Sequence, residues 1–348
     1  MELTYAQNME DYHLWQALGH KTSGFYIDIG AGHPIADSVS FWFYERGWQG
    51  ICVEPQPHLA ALYAEIRPRD QVLEALVGSH SGVMDFYVVN RLHALSTTIK
   101  SHAEAAEKYG ASHRTVSMPV VTLAQLCGRY GVTEIDFLKI DVEGAEASIL
   151  AGNDWNRFRP KVILAEAVSP ASGAPSWLEW EPNLLAQGYV LTLFDTLNRF
   201  YVAQEAKDAL AAAPRERAQW DAVPHLYQIG RAPECAEHPD NHLAGELARG
   251  FWASLPSIDK RLLASLLARD RGITDPVEVE QLVMDLETDR MRGALGRIAC
   301  GYDGGQLWPI SSDEKNSRLA KLQSSVTARL RSARIRLAAK KRHLAQEA

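Results

Sequence analysis

The sequence predicts an α/β fold built on an open, mostly parallel sheet, followed by a C-terminal helical appendage. Three observations carry that prediction. From about 22 to 204, short apolar runs alternate with helical patterns, as in a parallel sheet covered on both faces. The first run ends in Asp28-Ile29-Gly30-Ala31-Gly32, a glycine turn placed directly after a strand. The last two runs, 189–195 and 198–203, are joined by too few residues for a parallel crossover, so they must form an antiparallel hairpin.

The elements follow in order. GFYIDIG (24–30) is a buried strand, and 37–47 is a helix with Val39, Phe41, Trp42 and Tyr44 as its apolar surface. GICVEP (50–55) is the second strand, stopped by Pro55. A helix at 57–66, a strand at 71–78 and a hairpin-like segment at 83–89 come next. Residues 122–131 are helical with Thr122 as cap. IDFLKID (135–141) is a strand, 144–152 a helix ending at a glycine, KVILAEAV (161–168) a strand and 177–189 a helix. The terminal hairpin completes a Rossmann-like, seven-stranded sheet, an arrangement typical of methyltransferases that use S-adenosylmethionine.

Beyond 205 the texture changes. Residues 211–224 read as an irregular segment, and three later stretches as helices, the last introduced by Thr274-Asp275-Pro276. The chain is therefore divided into an N-terminal segment (1–21), a catalytic domain (22–205), a helical appendage (206–312) and a basic tail (313–348). The tail carries +7 while the whole 348-residue chain carries −7, so the remainder carries −14. Its apolar residues recur at three- and four-residue spacing, which makes one amphipathic basic helix. Self-association through that helix, a partner helix, or peripheral contact with an anionic membrane all fit. Nucleic acid is not expected, because no aromatic side chain is interleaved with the cations.

Four cysteines far apart, with no CxxC pair, suggest neither a zinc site nor a disulfide framework. A reducing, cytoplasmic setting is expected, with the inner membrane face as the place where the tail would dock. No apolar run approaches the roughly 20 residues of a membrane span.

The glycine turn could open a dinucleotide fingerprint, but the third glycine would fall at Ile35. Asp28, two residues before Gly30, would repel a pyrophosphate and suits a cation. S-adenosylmethionine carries a sulfonium and an ammonium group and no phosphate. Gly30, Ala31 and Gly32 would let backbone approach its methionine portion, while Asp28 shapes the loop or offsets charge. Glu54 ends the second strand and can accept both ribose hydroxyls of a nucleoside.

The stretches YIDIGAGHPIADSVSFWFYERGWQGICVEPQP, RPRDQVLEALVG, IDFLKIDVEGAEASILAG and RPKVILAE resemble the FkbM-type methyltransferase family, and GYVLTLFDTLNRFYVA is similar to a bacterial subset associated with surface-polysaccharide genes. The resemblance covers about 22–205. It implies S-adenosylmethionine as donor and a hydroxyl acceptor, often on a sugar. Related sequences often read GANHP where this chain has Gly30-Ala31-Gly32-His33-Pro34.

Ligands of open α/β sheets lie beyond the carboxyl ends of the strands. Asp141 ends one such strand, Glu143 and Glu146 follow it, and Glu166 lies near the end of the next. Asp141 could orient the cofactor, take a proton from the acceptor hydroxyl, or join Glu143 and Glu166 around a divalent metal such as Mg²⁺. Acids in a first helical turn also stabilise that turn through the helix dipole. His33 is a second candidate base, or a histidine packed under the loop. Asp195, Asn198 and Arg199 surround the hairpin turn and could contact a sugar, although Asp and Asn also favour turns for backbone reasons. Trp177, Trp180, His93 and Ser96-Thr97-Thr98 are further candidates for the acceptor cleft.

The leading expectation is a methyl transfer to a sugar hydroxyl of a surface glycan or its precursor. Methylation of a small secondary metabolite, a non-catalytic adenosyl-binding scaffold in a glycan-assembly complex, and a nicotinamide-dependent oxidoreductase are the competing readings.

Overall fold

The computed structural model describes residues 2–90, 95–169 and 174–302. The basic tail, with the self-association and membrane contacts expected of it, lies outside the described residues, as does His93.

Helix α1 (Glu10–Leu18) precedes β1 (Phe25–Ile29), which leads through the glycine turn to α2 (Phe41–Glu45), β2 (Gln49–Val53), α3 (Pro57–Ile66) and β3 (Gln71–Leu73). Next come β4 (Leu76–Val77), β5 (Gly82–Val89), α4 (Lys100–Ala106), β6 (His113–Val121), α5 (Leu123–Arg129), β7 (Phe137–Ile140), α6 (Glu146–Ala151) and β8 (Val162–Glu166). A short helix α7 (Glu181–Ala186), the hairpin strands β9 (Tyr189–Phe194) and β10 (Asn198–Ala203), and α8 (Lys207–Ala212) follow. The first compact unit extends to Ile229, so it takes in residues 206–229, which the sequence groups with the appendage. The main chain of Thr4 pairs with Pro224 and Leu226, tying the N-terminal segment to this stretch.

Seven strands form the main sheet in the order β3-β2-β1-β7-β8-β10-β9. β10 alone runs antiparallel to its neighbours, as the short 195–198 connection requires. Both faces are covered, and side chains alternate between them with the two-residue strand period. Tyr26, Cys52, Phe137, Val162, Leu164 and Phe200 pack with Trp42, Phe43 and Trp48. Ile27, Ile51, Leu138, Ile163 and Tyr201 pack on the other face with Leu123, Leu126 and Ile149.

Three local expectations change. The single strand expected at 71–78 is two: β3 joins the main sheet, and β4 joins a separate three-stranded sheet ordered β4-β6-β5. The hairpin-like 83–89 segment pairs instead with β6, antiparallel, from Gly82↔Val120 to Val89↔His113. The helix expected over 37–47 shortens to Phe41–Glu45, because Asp37 takes the left-handed backbone conformation at φ 54°. The Thr122 cap is present as a full capping box, with Gln125 returning the bond.

In the second unit, α9 (Asn241–Ser254), α10 (Lys260–Arg271), α11 (Pro276–Leu286) and α12 (Asp289–Ala299) enclose a core that includes Leu263, Ala264, Leu282, Leu286 and Leu295. Asp275 caps α11 ahead of Pro276. No described helix is long and apolar enough to cross a membrane.

Candidate functional site

Strand register explains how the site is assembled. In the parallel pair β1–β7, Asp28 stands directly beside Lys139, and Lys139 stands beside Leu164 of β8. Glu166, two residues further along β8, therefore shares their face and pairs with Asn198 of β10. This face at the carboxyl ends of the strands borders a cavity of about 560 Å³. Its lining includes Gly30, Ala31, Gly32 and His33 from the glycine turn, and Glu54 and Gln56 after β2. Lys139, Asp141, Glu143, Glu166 and Asn198 form another part. The small sheet contributes Leu76, Val77 and Phe86, and the N-terminal segment contributes Gln7 and Glu10.

The glycine turn is pinned from several sides. Gly30 and Ala31 donate backbone N–H to the Val53 carbonyl at 3.0 and 3.1 Å. Each exposed carbonyl then meets a buried donor: Lys139 Nζ reaches Gly30 O at 2.7 Å, Tyr63 Oη reaches Ala31 O at 3.1 Å, and Arg67 Nη1 reaches Pro34 O at 3.1 Å. Arg67 is itself fully buried, held by Asp70 and bonded to Tyr26 and Ser40. Buried charges need such complete pairing to persist. Glu54 completes the turn: one oxygen accepts Gly32 N–H and the other Gln56 N–H, each at 2.8 Å. A carboxylate offers about four acceptor positions, so Glu54 retains capacity for hydroxyl donors in the cavity. Burial raises its pKa against those two backbone bonds.

Asp28 does not reach the cavity. It is buried, accepts the Ser40 hydroxyl at 2.6 Å and lies 3.3 Å from Lys139 Nζ. It is linked to the glycine turn through Lys139, whose Nζ also reaches Gly30 O. Burial works against the Lys139 ammonium, but Asp28 and then Asp141 outweigh it and hold the pKa above that of an ordinary lysine.

Asp141 is half-exposed, with Oδ2 3.4 Å from Lys139 Nζ. Beyond it the chain turns sharply. Glu143 adopts φ 58°, uncommon for a residue with a side chain. Thr97 Oγ1 and His102 Nδ1 both donate to the Glu143 carbonyl at 3.0 Å, and Glu146 Oε1 accepts Gly144 N–H at 3.1 Å. The turn aims the Glu143 carboxylate at Asp141 and Glu166, and the three offer oxygens that all lie within 4.8 Å of one another. Burial first, and the neighbouring carboxylates next, push the pKa values of Glu143 and Glu166 upward.

The other expected residues divide. His33 lines the cavity, but its Nδ1 accepts Ile35 and Ala36 N–H at 3.1 and 3.0 Å. The neutral ring therefore carries its proton on Nε2, which makes it a hydrogen-bond donor there rather than a ready base. Among Asp195, Asn198 and Arg199, only Asn198 is brought to the cavity. Asp195 is buried and accepts the Leu197 and Asn198 N–H groups of its own turn. Arg199 is paired with Glu181 and stacked on Trp177 at 3.8 Å. Ser96 and Thr98 line the cavity, while Trp180 is buried in the core.

Lys139 and Glu10 are charged residues of the cavity that were not expected from the sequence. Lys139 had a signal: a lone cation in the apolar strand FLKI must be paired if buried. Glu10 had none. It is buried, accepts Asn198 Nδ2 at 2.8 Å and Asn8 N–H at 2.6 Å, and is pushed up to about 8 by burial and by Asp195.

The methyltransferase FkbM domain family matches residues 28–191. These residues are an FkbM methyltransferase domain. The matched span holds the glycine turn, Glu54, Lys139 and the three clustered carboxylates, whereas Glu10 and Asn198 lie outside it. The chain is also 26% identical over 150 residues to the 2-O-methyltransferase NoeI of Sinorhizobium fredii (strain NBRC 101917 / NGR234), a match that takes in 40% of this chain. It spans about three fifths of the length of that curated relative, 61%. Residues 28–191 thus carry the FkbM type of methyltransferase domain, and methyltransferases in general draw their methyl group from S-adenosylmethionine.

The cavity chemistry fits that donor. Glu10, Glu54, Asp141, Glu143 and Glu166 line it and no arginine is among its described lining residues, a poor setting for a pyrophosphate and a suitable one for a cationic nucleoside.

Proposed function

We propose that the protein is an S-adenosylmethionine-dependent O-methyltransferase that acts on a sugar hydroxyl of a surface polysaccharide or its precursor. One observation carries the reading: the glycine turn and Glu54 open into the same cavity as Asp141, Glu143, Glu166 and Asn198. Cofactor and acceptor can therefore meet over the carboxyl ends of β1, β7 and β8.

Bound S-adenosylmethionine supplies an electrophilic methyl group. Gly30 to Gly32 and Glu54 hold the cofactor, with Glu54 accepting from ribose hydroxyls. Lys139, Tyr63 and Arg67 keep the turn in shape from beneath. On the acceptor side, Asn198 and Glu10 offer hydrogen bonds to a polyol, and Asp141, in the same cavity, is the base that takes the hydroxyl proton in this reading. An alcohol holds its proton far above neutral pH, so a positioned base contributes about 10²–10⁴-fold and proximity contributes further. Transfer to oxygen is supported by the 2-O-methyltransferase relative, and a polyol acceptor by the hydrogen-bonding wall of Asn198 and Glu10.

Calorimetry with S-adenosylmethionine, S-adenosylhomocysteine and NAD tests the cofactor. Binding of both adenosyl compounds and not NAD is expected, and binding of NAD alone would sink the reading. Labelled methyl transfer into the glycan and small-molecule fractions of a lysate then tests the acceptor. Label in the glycan fraction is expected, and label confined to small molecules would transfer the assignment to a secondary metabolite.

A further inference from the structure

We propose that Asp141, Glu143 and Glu166 together bind one hard divalent cation in the cavity.

The site is more than a group of acids. Glu143 is only 9% exposed, lines the cavity, and its Oε2 has no hydrogen-bond partner. A buried carboxylate oxygen left without a donor is costly, on the order of 1–3 kcal/mol or more for a charged group. Lys139 does not answer it: its ammonium is committed to Gly30 O at 2.7 Å, Asp28 at 3.3 Å and Asp141 at 3.4 Å. One ammonium thus serves Asp28 and Asp141, and it makes no ion pair with Glu143 or Glu166.

The spacing suits an ion. Oxygens within 4.8 Å of one another lie no more than about 2.8 Å from a common centre, so a slight closure of the side chains gives cation–oxygen bonds of about 2.4 Å. That length is ordinary for Ca²⁺, and the smaller Mg²⁺ and Mn²⁺ need the three side chains to close further. An all-oxygen set of carboxylates selects this class over zinc, which favours histidine and cysteine. The ligands come from three places: the end of β7, the turn after it, and the end of β8. Three protein ligands leave coordination positions for water or for an acceptor oxygen. The role of such an ion in activating an acceptor rests on the methyl-transfer reading, but its binding does not.

Mn²⁺ binding to the full-length protein, followed by electron paramagnetic resonance with and without S-adenosylhomocysteine, tests the proposal. We expect one bound Mn²⁺ per chain, displaced by Mg²⁺ or Ca²⁺, with affinity reduced about tenfold or more in Glu166→Gln. Asp141→Asn, at a half-exposed position, repeats the test if the buried variant fails to fold, as judged by circular dichroism. No bound Mn²⁺ at millimolar concentration, or binding unchanged in folded variants, would overturn it. Calorimetry with S-adenosylhomocysteine on the same samples separates the two ideas. Nucleoside binding without Mn²⁺ removes only the ion, and Mn²⁺ binding without the nucleoside keeps the ion and removes the transferase reading.

Discussion

Gly30 and Gly32 look equivalent in the sequence, and alanine substitution should separate them. Both have left-handed backbone, at φ 74° and 62°. An added side chain costs about 1–2 kcal/mol in that conformation. At Gly32 nothing more is added, because a Cβ would meet no atom within 4 Å. At Gly30 the Cβ would fall 1.8 Å from the Asp141 carbonyl oxygen, whereas ordinary carbon–oxygen contacts are about 3.3 Å. The turns after β1 and β7 must then separate by roughly 1.5 Å to restore that contact. Such a shift disturbs the Asp141 N–H bond to Ile29 O and the Lys139 bond to Gly30 O. Overpacking of about 1–3 kcal/mol and a lost hydrogen bond of about 1 kcal/mol bring the total for Gly30→Ala to about 3–6 kcal/mol. For Gly32→Ala the expected loss of stability is about 1–2 kcal/mol. Urea unfolding followed by tryptophan fluorescence measures both, since Trp42 and Trp48 sit in the core of the same unit. Gly32→Ala should stay folded yet bind S-adenosylhomocysteine more weakly, because its methyl projects from the cavity wall. Midpoints that agree to within about 0.5 kcal/mol would refute the close approach of Gly30 to Asp141, given that such values usually resolve differences of that size.

Three further outcomes follow from the same geometry. Lys139→Met leaves Asp28 and Asp141 without their cation, and should cost about 3–5 kcal/mol in urea unfolding, as for other broken buried pairs; a loss below about 1 kcal/mol would place the lysine outside the support of the turn. Glu10 has its pKa raised from 4.5 to about 8, so the folded state binds the proton more tightly than the unfolded chain. Its contribution is fully present below pH 4.5 and is lost as the pH rises through about 8, with a slope of up to about 1.4 kcal/mol per pH unit. Unfolding midpoints between pH 5 and 9 should therefore fall less steeply in Glu10→Gln than in the parent, and equal slopes would rule out Glu10 as the titrating group. Thr122→Ala removes one half of the capping box on α5 and should lower stability by about 1 kcal/mol, with S-adenosylhomocysteine affinity unchanged in calorimetry.

Local chemistry made much of this protein readable in one dimension. Apolar runs at 25–29, 50–53, 137–140 and 162–166 had to be strands, because four or five consecutive buried side chains fit only a sheet covered on both faces. The 195–198 connection forced β10 to run antiparallel, and Pro55 with Pro57 framed the start of α3. Asp28, the glycines, Glu54 and Asp141 could be chosen because turns and strand ends announce themselves by residue type.

Lateral pairing is the part that residue type does not encode. The run at 71–78 carries nothing that says its halves belong to different sheets, and β6 reads as mixed polar sequence until β5 lies beside it. The same limit governs the site. Asp28 faces Lys139 rather than a ligand because β1 and β7 are in that register, with a separation of 111 residues that no local pattern spans. Glu10 comes to the cavity through Asn198, 188 residues away. Arg199, next to Asn198 on β10, points to the opposite face and onto Trp177, as successive strand residues do, while Asp195 accepts the N–H groups of its own turn. Residue types established which groups could do chemistry, and the pairing of distant strands selected the few that share one cavity.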